Sequence, residues 1–157
     1  MKSEISNPKL NKERTFGLLN TLLADEYLLY TKTRNAHWYM EQQSFTNLPR
    51  FIEKQVVALD IIIDDIAERV LKIRYTVPIS MRKFLKITRL SEWEDKDELE
   101  GDQIIKGLVG DHEKIIKILK EDIQALIIVN DIKNQEFLGS LVTKHEHIAK
   151  MLNASLS

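Results

Sequence analysis

Three side chains in the first half of the chain have the types and spacing of metal ligands. His37 precedes Asp64 and Glu68, and these two acids stand four residues apart inside a long apolar helical run from Val56 to Val70. An unpaired carboxylate in such a run costs several kcal/mol to desolvate, so a buried acid is protonated, paired or bound to a cation. Imidazole nitrogen and carboxylate oxygen suit iron, manganese or zinc. The pattern predicts a metal site without choosing among these metals.

Glu53 and Asp60 extend the two acids into a stripe along one face of the same helix. At 3.6 residues per turn, Glu53 is offset from Asp64 by only ~20°, and the stripe from Glu53 to Glu68 is ~22 Å long. One ion cannot contact both ends within one chain. Acids at this spacing are also typical of a solvated helix face, and a lone helical histidine often has no ligand role. Either the stripe faces water, or a second copy brings its opposite end close.

Composition restricts the class of protein. The chain has 157 residues, 43% of them hydrophobic and 30% charged, with a formal net charge of -1. We expect one domain spanning 1–157, in which 1–7 form a short N-terminal tail. The absence of cysteine excludes disulfides, thiolate zinc sites and cysteine nucleophiles. No apolar signal core follows Met1, and no apolar run reaches the ~18–20 residues of a membrane span. These features predict a cytoplasmic protein that does not enter a membrane.

Hydrophobic periodicity predicts four long helices and one short helix. The predicted ranges are about 8–37, 46–73, 81–87, 102–129 and 134–153. Asn7 is expected to cap the first helix, Ser80 the short helix and Asn134 the last helix, and Glu41 to Ser44 is a polar break. Two long helices, a mid-chain connection and two more long helices predict an all-α, ferritin-like four-helix bundle with a short extra helix in the connection.

Several motifs resemble those of the Dps family, the mini-ferritins named for DNA protection in starved cells. They are Leu22-Leu23-Ala24-Asp25, Lys32-Thr33-Arg34-Asn35-Ala36-His37-Trp38, Phe45, Leu48, Asp64-x-x-Ala67-Glu68-Arg69 and Asp111-His112-Glu113. The match covers the first two helices closely and the rest in outline. The spacing from His37-Trp38 to Ala67-Glu68-Arg69 is kept without gaps.

The resemblance implies a hollow homo-oligomer of twelve subunits with ferroxidase sites at twofold interfaces. Iron(II) is oxidised at such sites, preferably by hydrogen peroxide, and ferric mineral is stored inside, which protects against oxidative stress. By position, His37 matches a histidine ligand and Glu53 an acid ligand from one subunit, whereas Asp64 and Glu68 match the pair from its partner. The two ends of the acidic stripe would then come from different chains.

Pro49 is the main departure from the family pattern. It stands where the family has a second histidine, and Glu53 stands where Asp is usual. Proline offers no side-chain ligand atom, so at least one iron position should be weaker. The chain is therefore a possible ferroxidase, and the alternative is a non-catalytic Dps-like cage that sequesters metal or coats DNA.

Other residues carry two interpretations each. The resemblance assigns Trp38 and Tyr30 to electron donation near the site, and packing is the alternative for both. His112 is expected in the core, and His145 and His147 on the surface. In the resembled family, the region of Asp131 and Glu136 lines threefold pores that admit cations, and helix capping is the alternative.

DNA contact is expected to be weak. Lys2 and Lys9 stand against Glu4 in the N-terminal segment, where some Dps proteins carry a lysine-rich tail. Two lysines per subunit, multiplied over a shell, predict at most a salt-sensitive contact.

Overall fold

The computed structural model describes residues 7–42, 47–94 and 100–156, which form five helices. These are α1 (Pro8–Gln42), α2 (Leu48–Lys72), α3 (Met81–Ile87), α4 (Gly101–Ile128) and α5 (Ile132–Ala154). α1 packs mainly on α2, and α4 on α5, while α1 also contacts α4 and α3. The described residues contain no strand. The predicted all-α, ferritin-like four-helix bundle with a short helix in its connection is confirmed.

Local capping explains where several helices begin. The Asn7 side chain accepts hydrogen bonds from the backbone N–H groups of Lys9 and Leu10, so the predicted first cap is confirmed. The predicted cap of α3 is also confirmed, because Ser80 Oγ accepts from the Lys83 N–H at 3.2 Å. These side chains satisfy N–H groups that have no partner inside the helix.

Two predicted helix ends were wrong. α1 continues through Glu41 and Gln42, so the predicted polar break does not begin at Glu41. Its remaining residues, 43 and 44, lie outside the described ranges, as do Phe45 and the predicted start of α2 at Thr46.

The last helix starts at Ile132 and is capped by Asp131, not by Asn134. Residues 1–6 also lie outside the described ranges, and the division into one domain and a tail stays a prediction.

The core is a continuous apolar cluster to which all four long helices contribute. Its fully buried members include Leu22, Leu29, Ile66, Leu108, Ile115 and Leu141. Burial of apolar surface contributes roughly 25 cal/mol per Å², so this cluster is the main force holding the helices together. Within the described residues, no helix is both long and apolar enough to cross a membrane.

Arg89 fixes the mid-chain connection onto the bundle. Asp25 of α1, fully buried, accepts hydrogen bonds from the Arg89 backbone N–H and from its Nε at 2.8 Å. The Arg89 guanidinium also donates to both carboxylate oxygens of Asp122 in α4, at 3.0 and 3.1 Å. Burial opposes the charge of Arg89, but its hydrogen bond to Asp122 and the two carboxylates raise its pKa above the ordinary value. The connection is therefore tied to both halves of the bundle.

Trp93, later in the same connection, contacts α1 and α4. The Lys32 ammonium group lies 5.1 Å from the Trp93 ring centroid and 2.7 Å from Asp111 Oδ2. A Cβ at Gly107 would lie 3.3 Å from Trp93 Nε1, so a larger residue there would press on the indole. Glycine at this position permits the close approach of the ring to α4.

Candidate metal site

The acidic stripe lies on the outside of α2. Glu53, Asp60, Asp64 and Glu68 are all exposed, within an arc of about 80° at 3.6 residues per turn. In the part of the chain that the structure describes, none of the four carboxylates forms an ion pair or a hydrogen bond. Unpaired like charges on one face repel one another, and a bound cation would relieve that repulsion.

Large aliphatic side chains share this face with the acids. Val57, Ile61 and Leu71 are 57%, 54% and 56% exposed, and the helical repeat places them on the same side of α2 as Asp64. A contiguous exposed apolar patch commonly marks an interaction site. Val57 and Ile61 are neighbours on this face, and Leu71 lies about 15 Å further along it. We name the surface formed by these three residues and the four acids the α2 face.

His37 lies near the end of α1 with a mostly buried side chain. Its Nε2 is 3.5 Å from Oε1 of Glu41, whose own side chain is largely exposed. Glu41 was predicted to lie in a polar break after the helix, so it was not considered as a ligand. The signal was present, since residues four apart on a helix are neighbours and α1 continues past position 41.

Pro49 is the second residue of α2 and is half-buried. Proline is tolerated there because the first N–H groups of a helix have no intrahelical acceptor. Glu53 follows it on α2 and is exposed. Over residues 7–42, 47–94 and 100–156, no group of three or more His, Asp or Glu side chains could hold one ion. A single chain therefore does not bring His37 together with Asp64 and Glu68.

The two aromatic candidates differ in environment. Trp38 is 55% exposed at the end of α1, beside the exposed Tyr39. Tyr30 is half-buried against the core, and its ring centroid is 6.0 Å from that of Tyr27. Tyr30 thus packs within its own subunit, whereas Trp38 offers its ring to the outside. Their roles in electron donation stay predictions.

Asp131 is engaged as a helix cap. One of its oxygens accepts from the Asn134 backbone N–H at 3.2 Å, and the other accepts from Thr15 Oγ1 and from Asn134 Nδ2. Arg69 donates to Asn134 Oδ1 at 3.1 Å and stacks on Phe137. Arg69 therefore links α2 to the first turn of α5. Glu136 is exposed, and the pore role of Asp131 and Glu136 stays a prediction.

Two histidines meet in the core. His112 is buried as predicted, but the prediction that His145 lies on the surface was wrong, since His145 is 0% exposed. The Nδ1 atoms of the two rings are 2.9 Å apart, and His145 Nε2 is 2.7 Å from Oε1 of Glu26 in α1. His145 continues the buried positions Leu138 and Leu141, a spacing that places it on the core face of α5. His147 is exposed, as predicted.

Comparisons with known proteins agree with the fold. A family model described as a ferritin-like domain matches residues 17–157. A low temperature-induced protein of Nostoc sp. PCC 7120 is 33% identical over 144 residues, covering 91% of this chain and 80% of that protein. DNA protection during starvation protein 2 of Bacillus anthracis is 29% identical over 148 residues, covering 94% of this chain and 99% of that protein.

A solved structure is similar over nearly the whole described bundle. The Dps protein of Vibrio cholerae superimposes with a TM-score of 0.83 at 24% identity, covering 92% of this chain and 89% of that chain. It is described as a member of a superfamily of ferritin-like diiron-carboxylate proteins. At this level of identity, the likeness demonstrates a shared fold.

Proposed function

Because this chain belongs to the ferritin-like family, and within it to the Dps mini-ferritins, we propose that it oxidises iron(II) and stores the ferric product inside a homo-oligomeric shell. The observation that carries the proposal is the α2 face, where exposed aliphatic side chains alternate with carboxylates that have no partner in the described chain. Pairing with a second copy would remove the aliphatic side chains from water, and iron would offset the charge of the carboxylates that the pairing desolvates.

A twofold interface suits the length of the stripe. Twofold symmetry places residue i of one subunit against residue j of its partner, and the reverse. The Glu53 end of one stripe then meets the Glu68 end of the other. Bringing carboxylates into such an interface without a counter-ion would be costly, because each would lose water without gaining a partner. Iron binding and pairing of subunits should therefore stabilise each other.

The ligands in this proposal come from both subunits. His37 and Glu53 belong to one chain, and Asp64 and Glu68 to its partner. Iron is the substrate: hydrogen peroxide takes one electron from each of two iron(II) ions, and its O–O bond breaks to give two hydroxide ions. Anionic oxygen ligands bind the more highly charged iron(III) more strongly than iron(II), and this preference favours the oxidation. The shell of twelve subunits is part of the same proposal.

Glu41 is proposed as a further oxygen ligand that offsets the loss of a histidine at Pro49. Its carboxylate is already within 3.5 Å of the His37 imidazole, and most of the side chain is free to move in solvent. A small rotation would let it share an ion with His37. The longer Glu53 side chain, in place of the usual Asp, extends the reach of the same end of the site.

Iron(II) oxidation by added peroxide tests the proposal in the absence of air. Glu68→Gln should slow the oxidation by about tenfold or more, as is usual when a metal site is impaired. Glu41→Gln should slow the oxidation less, because it removes one ligand charge at the iron position that already lacks a histidine at Pro49. Glu121→Gln, an exposed acid on α4, is the matched control and should behave as wild type. If wild-type protein oxidises iron(II) no faster than buffer, ferroxidase activity is excluded.

The second candidate is a cage without catalysis, which Pro49 favours because it removes a nitrogen ligand. Such a cage would sequester iron(II) or coat DNA. Equilibrium binding of iron(II) under argon, compared with the oxidation rate, separates the two. Binding lost in Glu68→Gln without any acceleration of oxidation in wild type would select the second candidate.

A further inference from the structure

A buried chain of three ionisable side chains connects three of the long helices. Glu26 of α1, His145 of α5 and His112 of α4 are each no more than 1% exposed. Glu26 Oε1 lies 2.7 Å from His145 Nε2, and His145 Nδ1 lies 2.9 Å from His112 Nδ1. Among the described residues, Glu26 Oε2 is buried without a hydrogen-bond partner. The proposed iron site uses none of these three residues, which we call the core triad.

The nitrogen–nitrogen contact limits the number of protons that the core triad can hold. A hydrogen bond between two Nδ1 atoms requires one donor and one acceptor, so only one of the two rings carries a proton at this contact. The two histidines cannot both be imidazolium while they remain 2.9 Å apart. A net charge in this dry environment would also be costly. The arrangement without net charge has one proton shared between Glu26 and His145, with His112 neutral.

We propose that the core triad is a proton-sensitive lock, which joins α1, α4 and α5 while it holds one proton and opens when a second proton binds. The second proton would place hydrogens on both facing Nδ1 atoms. The 2.9 Å contact would then become a repulsion between two cations in the core. Separation of α4 from α5 would let water reach the charged rings.

The other charged groups held in ion pairs on α1 and α4 have partners outside the core triad. On α1, Asp25 binds Arg89 and Lys32 binds Asp111. On α4, Asp122 also binds Arg89, and Asp111 belongs to the Lys32 pair. The buried residues of α2 are all apolar, His145 is the one ionisable residue among those buried on α5, and α3 contributes no buried residue. The carboxylate that faces the histidines and offsets their charge is that of Glu26.

The electrostatics of His112 give the direction of the effect. Burial, followed by the charge of His145, lowers the pKa of His112 well below its ordinary value. The unfolded chain protonates a histidine near pH ~6.5, whereas the folded core triad keeps His112 neutral. Below that pH the unfolded state binds more protons, so the free energy of unfolding falls as the pH falls.

Proton counts make the proposal quantitative. Between about pH 6 and about pH 5, an unfolded histidine is mostly charged and an unfolded glutamate mostly ionised. Unfolding of wild type should then take up about one proton at the core triad. Unfolding of His112→Asn should take up about none, and unfolding of Glu26→Gln about two. Asn can still accept from His145 Nδ1, and Gln can still accept from Nε2. Each proton changes the unfolding equilibrium constant by about tenfold per pH unit.

The experiment is denaturant unfolding of the full chain at one fixed protein concentration, so that assembly contributes equally to each variant. For each pH unit, the unfolding equilibrium constant of His112→Asn should change by about tenfold less than that of wild type. The unfolding equilibrium constant of Glu26→Gln should change by about tenfold more. His147→Asn, an exposed histidine on α5, should match wild type. A slope for His112→Asn equal to that of wild type would overturn the proposal, as would a slope for Glu26→Gln that is not steeper.

Hydrogen exchange of wild-type protein decides the matter if a variant does not fold. After correction for the intrinsic exchange rate, the opening equilibrium constants of segments 108–116 and 141–149 should rise more per unit of falling pH than that of α2. Equal pH dependence in all three would contradict the lock.

Discussion

At the scale of single residues, Pro49 decides how strong the proposed iron site can be. Pro49→His should raise the rate of iron(II) oxidation by peroxide, because it adds an imidazole nitrogen where the resemblance to the Dps family places the second histidine. The helix should tolerate the change, because residue 49 lies in the first turn of α2, where histidine's backbone N–H needs no acceptor within the helix. Pro49→Ala is the matched control and should leave the rate as it is. Equal rates in the two variants would count against a ligand role for this position.

At the scale of elements, the start of α5 depends on Asp131. Asp131→Ala removes the cap and also the bond from Thr15 of α1. We expect the free energy of unfolding to fall by about 1–2 kcal/mol, the usual range for loss of a capping side chain. Denaturant unfolding at fixed protein concentration measures it, with the exposed Lys133→Ala as control. A loss no larger than that of the control would mean that Asn134 can cap in its place.

At the scale of the whole molecule, the α2 face should hold subunits together. Ile61→Glu adds a fifth acid to the surface that the proposed shell covers with another copy, so we expect assemblies to dissociate into smaller species. Light scattering after gel filtration gives the mass, and circular dichroism should report unchanged helix content. Gln124→Glu, an exposed position on α4, is the control. A wild-type protein that is monomeric at micromolar concentration would exclude the shell.

Much of this architecture could be predicted from local signals, because helix periodicity and helix caps depend on residues that are close in sequence. Met81–Ile87 has the predicted bounds, and Asn7 and Ser80 cap as expected. Asp131 and Asn134 are both good capping residues, and local sequence does not choose between them. Contacts from Thr15 and Arg69, which are distant in sequence, hold Asp131 as the cap and Asn134 inside the first turn.

The candidate site could be predicted in part. The acids of α2 follow from spacing alone, but their aliphatic neighbours gain meaning only when the fold shows which face is left uncovered. His145 was predicted on the surface together with His147, although its spacing from Leu138 and Leu141 marks the core face. Its two partners come from other helices, and no local pattern connects Glu26 to His112.

The chain has two tryptophans, and the structure gives them separate surroundings. The Trp38 indole faces outward near the end of α1, whereas the Trp93 indole rests under the Lys32 ammonium group and against Gly107. Fluorescence from Trp38 should therefore respond to the joining of subunits, and fluorescence from Trp93 to the loosening of the bundle around the connection. A variant that keeps one indole at a time would let a spectrometer follow assembly and unfolding as separate events.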